Sequence, residues 1–176
     1  MTNLTNKSAN DLTDTLAYAG LVLLAYELLK SMIVSPIKNF YTSTTFSNGS
    51  GPFISYKHDV LSRHKNEFEA CLLYLCDFMQ AIDSNDLACI QSLRHHRNKI
   101  AHHLPDILPS LHIEDYAELF KATDSIIFKI SNYRTYMEIG ADPIYKDLDW
   151  KTAKGHEYLL YEQVLEKLQH LQERLG

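Results

Sequence analysis

Residues 83–105 read Asp83-Ser84-Asn85-Asp86-Leu87-Ala88-Cys89-Ile90-Gln91-Ser92-Leu93-Arg94-His95-His96-Arg97-Asn98-Lys99-Ile100-Ala101-His102-His103-Leu104-Pro105. Leu87, Ile90, Leu93, Ile100, Ala101 and Leu104 recur at three-, four- and seven-residue steps, the spacing of one helical face. Asp83, Ser84 and Asn85 form a short connector that can cap the helix start, and Pro105 is expected to close it. An uninterrupted amphipathic helix in mid-chain points to a bundle.

The flanks extend the same pattern. Upstream, Leu61, His64, Phe68, Cys71, Leu72, Leu75, Phe78 and Met79 predict one helix from about Lys57 to Ile82. Before that, Asp11 or Thr13 can cap a first helix carrying Ala17, Gly20, Leu21, Leu24, Leu28 and Met32, which Pro36 should end. Residues 35–56 hold Pro36, Pro52, Gly49 and Gly51 and read as a long loop. Its Phe40, Tyr41, Phe46, Phe53 and Tyr56 either tack it to the core or form a stacking flap for a base.

Downstream, Tyr116, Leu119, Phe120, Ile127, Ile130 and Met137 predict a helix from about Glu114 to Glu138. Gly140, Pro143 and Trp150 mark an irregular linker over 139–154, with Trp150 as an anchor. A last helix should run from about His156 to Leu175. The chain has only 6 Gly and 5 Pro. No strand pair with turn chemistry and no internal repeat is evident. The fold class expected is all-α, a helical bundle of about five helices with a long loop after the first, in one domain spanning 1–176.

Composition narrows the function. The 176 residues carry 17 Lys+Arg against 22 Asp+Glu, a net charge of -5. A chain of this balance is neither collagen-like nor low-complexity, and it is not a whole-surface nucleic-acid binder. Any polyanion site must be a local patch. The apolar stretch Leu16–Val34 is interrupted by Glu27 and Lys30 and lacks a basic leader, so neither a membrane helix nor a signal peptide is expected. Cys71, Cys76 and Cys89 form no zinc or redox pair by spacing and read as reduced thiols, consistent with a cytoplasmic protein.

One stretch departs from everything around it. Seven of the ten residues 94–103 are Arg, Lys or His, and none is acidic. In an acidic chain this is the strongest candidate for binding phosphate. Residues four apart nearly align on a helix, so Arg94, Asn98 and His102 form one polar stripe. Arg97 lies to one side, toward Leu93, Ala101 and Leu104, where a guanidinium needs a carboxylate, carbonyl or phosphate. Charged helical runs are usually solvated faces, and Arg94, His96, Lys99 and His103 fit that plainer description.

The run Arg97-Asn98-Lys99-Ile100-Ala101-His102 resembles the Arg–polar–three residues–His signature of HEPN domains, small all-α domains of prokaryotic defence and toxin–antitoxin systems. The resemblance covers about residues 12–137; the helix near 155–176 reads as a C-terminal extension. It implies a metal-independent endoribonuclease, without cofactor, working as a homodimer whose two motifs face one cleft. By the resemblance, Arg97 stabilises the phosphorane, His102 acts as acid/base or holds the phosphate, and Asn98 orients one of them. Arg94, His95, Lys99 and His103 would bind RNA phosphates.

The chemistry is coherent. Attack by a 2′-hydroxyl needs proton transfer and stabilisation of developing negative charge, which imidazole and guanidinium provide near neutral pH. DNA lacks that hydroxyl, so RNA is the implied substrate. A cognate antitoxin or regulatory protein is an expected partner. Some family members carry a Tyr two residues beyond the motif His as a modification site; here that residue is Leu104, so this form of control is not expected.

Rival chemistries are weaker. His102 and Asp106 are four apart, with His95, His96 and His103 nearby, but Pro105 disturbs the turn and no zincin signature exists, so no metal site is expected. No Gly-flanked Ser elbow and no phosphate-cradling Gly loop occurs. The remaining alternative is a non-catalytic module that binds RNA, nucleotide or a partner protein in the manner of an immunity protein or antitoxin.

Overall fold

The computed structural model of the chain describes residues 9–43, 52–107, 111 and 116–175. It is all-α. Helix α1 spans Ala9–Ser43, α2 Pro52–Asp59, α3 Glu67–Leu73, α4 Ser84–Ile107, α5 Ala117–Ile139 and α6 His156–Leu175. Among the described residues there is no strand. Helix α1 is the hub: every other α-helix packs against it, and α5 also packs on α4 and α6.

The inward face of α1 follows the stripe that spacing suggested only in part: Met32 is buried, and Leu21 and Leu28 pack half-buried against the core. Tyr18, Val22, Ala25, Tyr26, Leu29 and Ile33 are buried, whereas Ala17, Gly20 and Leu24 are exposed. Two apolar stripes compete on a helix this rich in Leu and Ala, and the one with aromatic and β-branched side chains buries more surface. By length and composition the segment Leu12–Thr42 could cross a membrane. It is also the helix on which the rest of the bundle packs, with 44% of its apolar window buried.

Pro36 does not end α1. Its ring removes one backbone donor at a cost of about 3 kcal/mol. Ile33, Ile37 and Tyr41 are buried around it, and burying each such side chain is worth about 1.5–3 kcal/mol, so packing carries the helix through. The expected long loop over 35–56 is therefore helical at 35–43 and 52–56; residues 44–51, with Phe46, lie outside the described residues, as does the side chain of Phe53. Tyr41 and Tyr56 are core residues, with Tyr41 Oη donating to Tyr74 Oη at 3.1 Å. Phe40 stays exposed.

The predicted helix 57–82 is broken into pieces. A 3₁₀ turn covers Leu61–Arg63, and the chain turns extended at His64 and Asn66. Asn66 Oδ1 then caps α3 by accepting from the Glu69 backbone N–H at 3.2 Å. A π-helical turn, Tyr74–Phe78, follows, and Gln80 takes a left-handed φ of 54°. An asparagine that offers its own cap wins over continued periodicity. His64 and Phe78, assigned to the apolar stripe, are exposed.

Asp83 caps α4, accepting from the backbone N–H of Asn85 and Asp86 at 2.8 and 2.9 Å. Asp86 Oδ2 accepts in return from the Asp83 N–H at 3.1 Å, a reciprocal capping box. Pro105 does not close α4 outright. The backbone leaves helical geometry at His103 (φ -130°, ψ 18°), and a last turn continues to Ile107. Two residues ahead of a proline, this is where the missing donor is felt.

The linker 140–155 is irregular apart from a 3₁₀ turn at Pro143–Tyr145. Trp150 anchors it, edge-on to Tyr136 at 5.2 Å. Asn132 Nδ2 donates to the carbonyls of Trp150 and Ala153 at 2.6 and 2.9 Å. Helix α6 is part of the bundle core through Tyr161 and Leu168. The three cysteines are unpaired; Cys71 is buried, and Cys76 and Cys89 are half-buried.

Candidate functional site

The basic run occupies the second half of α4, and the packing of α4 sorts its members. Leu93 and Ile100 are enclosed, which fixes the helix rotation. His96 lies three residues from one and four from the other, so it is carried inward and is 2% exposed. Arg94 is half-buried and pairs with Glu69 of α3, whose other oxygen accepts from Gln91 Nε2 at 3.1 Å. Neither His96 nor Arg94 lies on a solvated face. Arg94, expected at phosphate, braces α3 to α4 instead.

Arg97 sits at the α1–α4 groove. Its Nη2 donates to Glu27 Oε1 at 2.9 Å and its Nη1 to Asn98 Oδ1 at 3.2 Å. The guanidinium stands 5.2 Å from the Tyr26 ring centroid, a cation–π contact. Its side chain remains 26% exposed, while its Nε is enclosed without a partner among the described residues. Burial pushes the Tyr26 hydroxyl pKa up, with Arg94 and Arg97 pulling the other way.

His95, Lys99, His102 and His103 are exposed. Among the described residues His95, Lys99 and His102 have no ion pair, and His103 Nδ1 lies 3.9 Å from Asp106 Oδ2. At ~100° per residue His95, Lys99 and His102 share one face of α4, with Arg97 about 140° from His102. No hydrogen bond or ion pair joins Arg97 to His102 among the described residues. Asn98, half-buried between them, touches Arg97.

His96 is held on three sides. Tyr18 Oη lies 3.1 Å from its Nε2, the Tyr116 ring stacks on it at 3.4 Å between centroids, and Phe120 stands edge-on at 6.3 Å. Burial, aided by Lys99 and His95, pushes its pKa down to about 4, so it is neutral at pH 7. Its Nδ1 is enclosed without a partner among the described residues. His96 and Tyr116 line an open hollow of about 480 Å³ with Ala88, Gln91, Ser92, His95, Lys99 and Leu119. None of these residues is acidic.

Among the described residues no three His, Cys, Asp or Glu side chains converge as a metal site requires. Tyr26, Glu27 and Glu69 were invisible to motif reading, since the arginines they meet lie 25 or more positions away. Tyr116 read as one more core position. Comparison of the chain with protein-family models, curated proteins and solved structures returns no match.

Proposed function

We propose that this chain is a metal-independent endoribonuclease of the HEPN type, acting on RNA as a cytoplasmic homodimer in a toxin or phage-defence system. The observation that carries the reading is the exposed face of α4. In a chain of net charge -5, it presents His95, Lys99 and His102 without acidic partners among the described residues, while Arg97, its guanidinium coupled to Asn98, stands about 140° round the helix from His102. Such a face attracts a polyanion to one place on an otherwise repelling surface.

In this mechanism His102 takes the 2′-hydroxyl proton or returns one to the departing 5′-oxygen. Arg97, held by Asn98 and Glu27, stabilises charge developing on the phosphorane. The products are a 2′,3′-cyclic phosphate and a 5′-hydroxyl. Since Arg97 and His102 diverge around α4, the homodimer supplies the complement: one copy's imidazole works with the other's guanidinium. A cognate antitoxin or regulatory protein would cover the same face.

One observation favours a second reading, a non-catalytic module that binds RNA, nucleotide or a partner protein. Arg97 is already engaged by Tyr26, Glu27 and Asn98, as a purely structural arginine would be. The deciding experiment incubates wild type, Arg97→Ala and His102→Ala with structured and transfer RNA in a chelator. Cleavage by wild type alone supports the ribonuclease. RNA left intact by all three, with binding retained, selects the module.

A further inference from the structure

We propose that the hollow beside α4 is a subsite for one unpaired RNA base, its ring stacked on Tyr116 and its phosphate held by Lys99 and His95. In naming RNA it rests on the ribonuclease reading; the hollow's own chemistry stands apart from it.

Four features converge. First, the hollow measures about 480 Å³, within the range of small-ligand sites. Second, Tyr116 is a fixed platform. Its ring lies on the His96 imidazole at 3.4 Å and 23°, and that imidazole is tied to Tyr18 and flanked by Phe120. A braced aromatic ring pays little entropy when a base stacks on it. Third, the walls suit an aromatic anion. Ala88 and Leu119 are apolar, Gln91 and Ser92 offer polar edges, and among the described residues no carboxylate lines the space and Lys99 and His95 carry no ion pair. Fourth, His96 is almost wholly buried, yet among the described residues its Nδ1 has no partner. An enclosed polar atom left unsatisfied carries a free-energy cost that a polar group entering the hollow would relieve.

The placement relates the subsite to the chemistry. His102 lies three residues past Lys99 and seven past His95, so on a helix the three are separated by about 4 to 11 Å along one face. A strand with its reacting phosphate at His102 and the next nucleotides along α4 brings one base over the hollow. Arg97 faces away, so this subsite selects sequence without sharing the guanidinium.

The test titrates the full chain with a 2′-O-methyl RNA oligonucleotide, which cannot be cut, and with inorganic phosphate as control. Tyr116→Leu and Lys99→Ala should each weaken oligonucleotide binding at least tenfold, and Ser92→Trp, an exposed position that fills the hollow, should do the same without unfolding the chain. Phosphate binding should respond to Lys99→Ala only. Equal oligonucleotide affinity in wild type and Ser92→Trp overturns the subsite. Cleavage run in parallel separates the two readings. RNA cut with an unchanged site pattern by Ser92→Trp removes the subsite and leaves the ribonuclease. Hollow-dependent binding by a chain that cuts no RNA leaves the subsite and removes the ribonuclease.

Discussion

Arg97 Nη2 and Glu27 Oε1 meet at 2.9 Å across 70 positions of sequence, pinning the middle of α4 to the middle of α1. The pair sits at the surface, with Glu27 half exposed. Its worth to stability is therefore small, about 0–1 kcal/mol for an exposed ion pair. Its worth to geometry is larger, because it fixes one guanidinium nitrogen while Asn98 fixes the other.

Glu27→Gln and Asn98→Ala should therefore leave the melting temperature nearly unchanged yet lower RNA cleavage. Arg97→Ala should lower it further, by about 10² or more, the scale for losing a charge-stabilising donor. Cleavage rates beside thermal melts check this. A Glu27→Gln protein that cuts as fast as wild type shows that the pair is structural only.

His102 is exposed and bonds to nothing in the described residues, so His102→Ala should change stability by less than about 0.5 kcal/mol. The same variant should abolish cleavage. Because the proposed site draws one residue from each copy, mixing Arg97→Ala with His102→Ala protein should restore part of the activity. No recovery in the mixture would rule out a shared site.

His96 makes stability pH-dependent. Its folded-state pKa is lowered to about 4 by burial, against 6.5 unfolded. Between those values the unfolded chain binds the proton and the folded chain does not. Stability should thus fall as pH drops from about 6.5 to about 4 and level off below, losing on the order of 3 kcal/mol. His96→Phe should flatten this part of the curve. Denaturant melts across pH 4–7 measure it, and an unchanged slope in the variant assigns the effect to other groups.

Two glycines should respond in opposite ways to alanine. A Cβ at Gly20 meets nothing within 4 Å, so Gly20→Ala should stabilise α1 by about 0.5–1 kcal/mol. A Cβ at Gly155 collides with the side-chain oxygens of Ser131 and Thr135 on α5. Gly155→Ala must push α6 off α5 and should cost about 1–3 kcal/mol, the range for overpacking. Paired thermal melts decide both.

The helical class and the reach of α5 and α6 were legible because their apolar periodicity runs unopposed. The break between α2 and α3 was not, because Asn66 caps locally in a stretch whose periodicity promised one helix. Pro36 misled for the converse reason: a local stop signal lost to the burial of Ile33, Ile37 and Tyr41. At the candidate site, composition marked the second half of α4, but of the stripe read from spacing, Arg94, Asn98 and His102, only His102 is exposed, and the open face carries His95 and Lys99 beside it. Spacing missed that Leu93 and Ile100 drag His96 inside, and that Arg94 belongs to Glu69. Ion pairs between distant helices have no linear signature, so Glu27 and Glu69 emerged only once the helices were placed.

The embrace of α1 by α6 has a consequence for biogenesis. The hub emerges from the ribosome well before α6, its most extensive partner, which follows all the other described helices. Until then the inward face of α1 waits in a partly assembled core, and the closure that joins α1 to α6 spans most of the described sequence. A core closed in this order is complete only once α6 has been made, later than any other described helix.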